Sequence, residues 1–174
     1  MSKAHSSTSL RQEVADIPLS MRLVPRWGAW KMSPAKDGRL TKVPFSILTG
    51  HEASSTNDAD WTDFLEAAAY LLRKRQHDGL AFQLGGGWAG VDLDGCCNLD
   101  IKTANIVSDI VPEAARIIRD LATYAEISPS GHGVKLFCRG SLPSGRRRMK
   151  APWQPVAGDK AEVEMYDSGR FFCV

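Results

Sequence analysis

Apolar residues at Trp61, Phe64, Leu65, Ala68, Leu71 and Leu72 are offset by 3, 4, 7, 10 and 11 and stack on one helical stripe. This spacing predicts a helix opening at Trp61. Asp60 would cap its first turn, Arg73, Lys74 and Arg75 suit the negative end of its dipole, and Gly79 lies just beyond. A second helical stretch runs from Thr103 to Leu121. Pro112 divides it, as the first residue of a new helix whose buried stripe is Ala114, Ile117, Ile118 and Leu121. Elsewhere the segments are shorter, rich in β-formers and bounded by turn residues. Strands are predicted at Gly79 to Leu84, Ala89 to Asp94, Thr123 to Ser128, Gly133 to Arg139, Glu162 to Tyr166 and Arg170 to Val174. Trp27 and Trp30 lie in an apolar run before a polar turn at Ser33 to Arg39, and Thr41 to Phe45 resumes as the second arm of a hairpin. Several connections are too short for a crossover helix. The pattern therefore predicts the α+β class, with a mixed, largely antiparallel sheet and helices packed on it.

The 174 residues, 43% of them hydrophobic, suffice for one core of ordinary size. Residues 1–16 are polar and Ser-rich and read as a flexible tail, with the folded domain starting at Ile17. The chain stops on the apolar run Phe171 to Val174, which reads as a cut through a longer polypeptide. No apolar run approaches the roughly 18 residues of a spanning helix, and no secretory leader is visible at the start, so a soluble, cytoplasmic protein is expected. Cys96, Cys97, Cys138 and Cys173 form no CxxC pair, which argues against a zinc knuckle or a disulfide framework and for reduced, mostly buried thiols. A net charge of +2 advertises neither nucleic acid nor membrane. Local charge has to carry that question.

Three segments could carry chemistry. In Val91-Asp92-Leu93-Asp94, strand alternation puts both carboxylates on one face about 7 Å apart, with Val91 and Leu93 facing the core. Two such acids suit a hard divalent cation; the alternative is a strand end with two solvated acids before Gly95. Ser128-Pro129-Ser130-Gly131-His132-Gly133-Val134-Lys135 is a small-residue turn with two hydroxyls and two basic side chains. It suits phosphate, or else is only a tight hairpin. Glu162, Glu164 and Tyr166 share one face of a third strand and could add a further acid, unless this is merely an exposed acidic strand. From Lys135 to Gly158 there is no acid but six bases, among them Arg146, Arg147, Arg148 and Lys150, so the rest of the chain is mildly acidic. A basic loop beside an acidic site fits a polyanionic substrate; the alternative is a solvated loop. Gly85, Gly87 and Gly90 satisfy GxGxxG, yet the next segment is a strand and not the helix that would hold a pyrophosphate, so a hairpin turn is expected. No GxSxG is present, which leaves a serine hydrolase little support.

Taken in order, VDLDGC, EISPSGHGVKLF and EVEMYDSGRFF resemble the archaeo-eukaryotic primase superfamily, in particular the bifunctional DNA primase/polymerase domain of phage and plasmid replication proteins. WGAWK, TKVPFSILTG and DWTDF extend the resemblance over Ile17 to Val174. It implies an RRM-like catalytic core in which Asp92, Asp94 and Glu164 bind catalytic Mg²⁺ or Mn²⁺. It also implies that Ser128, Ser130 and Gly131, with His132, Lys135 and Arg170, line the triphosphate of an incoming nucleotide. Arg146, Arg147, Arg148 and Lys150 would contact nucleic acid. The implied activity is template-directed nucleotidyl transfer in replication of a phage, plasmid or mobile element. Its implied partners are a DNA template and primer, nucleoside triphosphates and a fused or associated helicase. One departure matters: the family's second motif often has histidine where this chain has Lys135. Lysine is a competent phosphate ligand but a different proton donor. Two rival readings remain. DLDG also resembles the nucleophile motif of haloacid-dehalogenase-like phosphohydrolases, with Asp92 attacking phosphorus. A decayed domain that only binds single-stranded nucleic acid is the other.

Overall fold

A computed structural model of the chain describes residues 15–74, 76–98, 110–156 and 160–174. The protein is α+β, as its alternating periodicities predict, and its strands divide between two sheets in which every neighbouring pair is antiparallel. The described residues form two compact units: one up to Gln83 plus Arg170–Val174, the other between Leu84 and Gly169. No helix among the described residues is long and apolar enough to cross a membrane.

The first unit holds the short helix α1 (Leu19–Arg22), strands β1 (Trp27–Pro34) and β2 (Leu40–Phe45), a 3₁₀ turn at Asp58–Asp60, helix α2 (Phe64–Arg73), β3 (Gly79–Gln83) and β9 (Phe171–Cys173). Its sheet runs β2-β1-β3-β9. The expected hairpin is β1 with β2, in register from Ala29 opposite Phe45 to Pro34 opposite Leu40. Trp27 anchors the core, edge-on to Phe64 at 5.1 Å and Phe82 at 4.9 Å, with its indole N–H donating to the Met21 carbonyl at 2.9 Å.

Helix α2 begins three residues later than its apolar spacing suggests. Trp61 is buried in extended backbone, Asp60 closes the 3₁₀ turn, and Asp63 takes the cap position without a side-chain cap bond. The stripe that reaches the core is Phe64, Ala67 and Leu71, while Leu65 and Leu72 are exposed. The helix packs on β1 and β3, and a stripe of two or three residues per two turns is enough for that contact. Beside it, His77 sits edge-on to Phe45 at 5.0 Å and tilted against Tyr70 at 5.3 Å. Burial, and then the charge of Lys31, hold its imidazole below the ordinary value of 6.5. A depressed folded-state pKa means that the stability His77 contributes is complete above pH 6.5 and is lost as pH falls below it. Urea melts of the native chain and of His77→Gln should therefore diverge on acidification, with the native chain losing more; parallel pH profiles would contradict this.

The second unit holds β4 (Trp88–Asp94), α3 (Pro112–Leu121), β5 (Tyr124–Ile127), β6 (Gly133–Arg139), β7 (Arg148–Lys150) and β8 (Glu162–Tyr166), in sheet order β5-β6-β4-β8-β7. Pro112 stands at the start of α3, as expected. Ala114 is buried, and Ile117 and Ile118 pack on the core, but Leu121 is exposed at the helix end. The part of the predicted stretch running from Thr103 to Asp109 lies outside the described residues. The glycines before β4 make a tight turn closed by reciprocal bonds between Gly85 and Trp88, and no helix follows. The strands flanking that turn belong to different sheets, so it is not the tip of a paired hairpin. All four cysteines are free.

Alternation sorts the second sheet into an apolar and a charged face. Leu93 lies opposite Val134 and Val163, and Val91 opposite Leu136 and Met165; these rows form the core with Ala114, Trp153 and Cys96. A one-residue slip of β4 would bury its acids and expose Leu93, so burial fixes the register that matters for the other face.

Candidate metal centre

The register aligns a row of charged residues across all five strands. Glu126 on β5 lies opposite Lys135 on β6, which lies opposite Asp92 on β4, then Glu164 on β8 and Arg148 on β7. One step along the strands, Gly133 faces Asp94, and Glu162 faces Lys150. Strand alternation alone therefore delivers Asp92, Asp94, Glu162 and Glu164 to one face, from segments about 70 residues apart.

Within this field Asp94, Glu162 and Glu164 each offer an oxygen, and these oxygens lie within 4.8 Å of one another. Two cations hold the trio. Lys160 places its ammonium 3.0 Å from Asp94, 2.7 Å from Glu162 and 3.7 Å from Glu164. Arg148 bonds Glu162 and reaches Glu164 at 3.0 Å through Nε. The Tyr166 hydroxyl donates to the other oxygen of Glu164 at 2.8 Å. Hydrogen bonds from Arg148 and Lys160 hold the Glu162 carboxyl below its ordinary range, and bonding to Glu162 raises the Arg148 guanidinium in turn. For Lys160 burial opposes the charge, but bonds to Glu162 and Asp94 outweigh it and raise its pKa.

The end of β4 is braced by backbone. The Trp153 indole donates to the Asp94 carbonyl at 3.1 Å, and Val156 N–H to that of Gly95 at 2.9 Å. Gly133 leaves no space beside Asp94: a Cβ there would stand 2.7 Å from the Leu93 carbonyl oxygen. Gly95 has φ +66°, and a Cβ would run into the Lys160 carbonyl oxygen. Gly95→Ala should thus combine a left-handed strain with a backbone clash and cost about 2 kcal/mol or more. Chemical denaturation would read this out; a loss within a few tenths of a kcal/mol of native would refute it.

The structure brings Asp94 and Glu164, two of the three acids read from the sequence, into one cluster, and adds Glu162. Asp92 is the neighbour of Glu164 across the β4–β8 ladder, but its carboxylate is ion-paired with the Lys135 ammonium. Lys135, read as a phosphate ligand, points at Asp92 from a buried position. The Ser128 to Gly133 segment is a tight turn. Ser128 N–H donates to the Gly133 carbonyl and Gly131 N–H to the Ser128 carbonyl, both at 2.8 Å, and the two serine hydroxyls are 2.8 Å apart. His132 N–H bonds the Ser130 hydroxyl at 3.3 Å. Of the basic residues, Arg148 is committed to the acids and Arg147 lies 3.6 Å from Asp167, while Arg146 and Lys150 are exposed. Arg170 belongs to the first unit, directly ahead of β9. Sequence reasoning missed Lys160; its spacing of two and four residues before Glu162 and Glu164 was the available signal.

The donors fit a hard divalent cation. They are carboxylate oxygens only, gathered at short range and already drawn around an ammonium group.

No family model matches the chain. It is 28% identical over 163 residues, 92% of its length, to a protein of Nitratiruptor phage NrS-1 named DNA Primase-polymerase. The chain spans about a fifth of that relative's length, 21%.

Proposed function

We propose that this chain carries a divalent-metal-dependent DNA primase/polymerase centre, which joins nucleotides on a DNA template. The observation that carries the reading is the convergence of Asp94, Glu162 and Glu164 on one sheet face, within a chain similar over nearly all its length to a phage primase-polymerase. On this reading the catalytic domain runs from Ile17 to Val174. Asp94 and Glu164 hold Mg²⁺ or Mn²⁺, and Asp92, paired with Lys135, stands at the adjacent register position. A metal bound there would activate a primer 3′-hydroxyl and steady the triphosphate.

The protein's own groups supply the rest. The hydroxyls of Ser128 and Ser130 offer donors to triphosphate oxygens, and His132 is a further phosphate contact. Lys135 sets the position and charge of Asp92 and acts on phosphate only from that pair. Arg146, Arg147 and Lys150 present positive charge to template or primer, while Arg148 is occupied in bracing the acids.

The test is extension of a labelled primer on a DNA template, with Mn²⁺ or Mg²⁺ and either deoxynucleotides or ribonucleotides. Metal-dependent, template-directed extension is expected. Absence of synthesis together with a trapped phosphoryl group on Asp92 would replace this reading by phosphohydrolase chemistry, and salt-sensitive DNA binding without synthesis would replace it by a binding role.

A further inference from the structure

Lys160 occupies the position in which a metal would be useful. Its ammonium lies within 3.7 Å of all three carboxylates that the strands bring together, so it stands where a cation shared by Asp94, Glu162 and Glu164 would stand. The three acid side chains are 16% to 29% exposed, whereas that of Lys160 is 51% exposed. The acids are therefore fixed by the sheet, and the lysine head approaches them from the solvent side. Lys160 also precedes β8 and lies outside its ladder, so its side chain can turn away without breaking a strand pair.

Charge points the same way. Three carboxylates against Lys160 and Arg148 leave one uncompensated negative charge. A divalent ion in the lysine's place, with Arg148 retained, leaves none. Oxygen ligands at this spacing favour a compact doubly charged ion over a single ammonium. Asp92 does not enter this balance, because Lys135 already neutralises it.

We infer that Glu162 is a metal-holding carboxylate alongside Asp94 and Glu164, and that Lys160 is a built-in cation that a divalent ion displaces. The inference rests on the proposed metal-dependent reading and extends it by naming the competitor and the added ligand. Its consequence is an affinity set by exchange: metal enters at the cost of the lysine contacts, and the acids never face one another uncompensated. Removing the lysine charge should make the metal-free cluster less stable and the metal-bound one easier to form.

The experiment measures Mn²⁺ binding to the purified chain directly, by the loss of the free-ion paramagnetic resonance signal, with thermal melts in chelator and in Mn²⁺. Lys160→Gln should tighten Mn²⁺ about tenfold, lower the melting temperature in chelator and enlarge the stabilisation by Mn²⁺. Glu162→Gln should weaken Mn²⁺ about tenfold, and Lys160→Arg, which keeps the charge, should bind like the native chain. Native-like Mn²⁺ affinity in both Lys160→Gln and Glu162→Gln would overturn the inference while leaving a metal centre in place. Failure of both the native chain and Lys160→Gln to take up Mn²⁺ would overturn the metal reading itself.

Discussion

Asp94→Asn is expected to lower template-directed extension by roughly a thousandfold or more while leaving the folded state intact. The substitution keeps the side-chain shape and removes one charged oxygen from the three-carboxylate cluster. Its structural cost is small. Asp94 contacts Lys160 at 3.0 Å, but the lysine retains Glu162 at 2.7 Å, and the backbone carbonyl that receives the Trp153 indole is untouched. A half-exposed ion pair of this kind contributes at most about 1 kcal/mol. Activity and stability should therefore separate widely, which a merely structural acid would not produce. Initial rates of primer extension in Mn²⁺, beside thermal melts of the same preparations, check this. Asp37→Asn, at an exposed pair with Arg39 on the β1–β2 turn, serves as the control that should change neither. Extension within tenfold of native for Asp94→Asn would remove the acid cluster from the reaction.

Much of the second sheet is legible in the sequence because its two faces obey a period of two. Val91 and Leu93 alternate with Asp92 and Asp94, Val163 and Met165 alternate with Glu162 and Glu164, and the strands pair in the one register that buries both apolar sets. What periodicity cannot supply is which carboxylates actually meet. Asp92, Asp94, Glu162 and Glu164 share a face, and the selection of three of them follows from cations arriving from elsewhere: Lys135 from β6 takes Asp92, and Lys160 gathers the others. Nor was β7 legible. Arg148-Met149-Lys150 is a three-residue edge strand, exposed throughout, and its charges read as loop until its pairing with Glu162 to Glu164 is known. The same holds for the buried Gln83, whose amide meets Arg26, Asp58 and the Ser55 carbonyl, a network assembled from three separated stretches of chain. The close of α3 carries no glycine signal either, since Ala122 itself adopts the left-handed conformation at φ 45°.

The pairing of Lys135 with Asp92 leads to the second large effect. The two side chains are only 9% and 14% exposed, so the sheet has taken both charges largely out of water. A buried pair contributes little net stability beyond an apolar substitute, but breaking it leaves one charge without its compensation. Lys135→Met should therefore destabilise the protein by about 3 kcal/mol at neutral pH, whereas adding Asp92→Asn to it should recover most of the loss. Urea unfolding of the native, single and double variants gives the coupling directly, with unchanged denaturant slopes showing that the same state is being unfolded. Additive losses would mean that Lys135 serves another partner, of which Glu126, opposite it on β5, is the nearest by register. A strong coupling has a functional corollary: a lysine committed to Asp92 is a positioning residue. Lys135→Met should then reduce the extension rate at saturating nucleotide more than it raises the KM for nucleotide, and Lys135→Arg should restore part of the rate. A pure KM effect would instead put the ammonium group on the triphosphate.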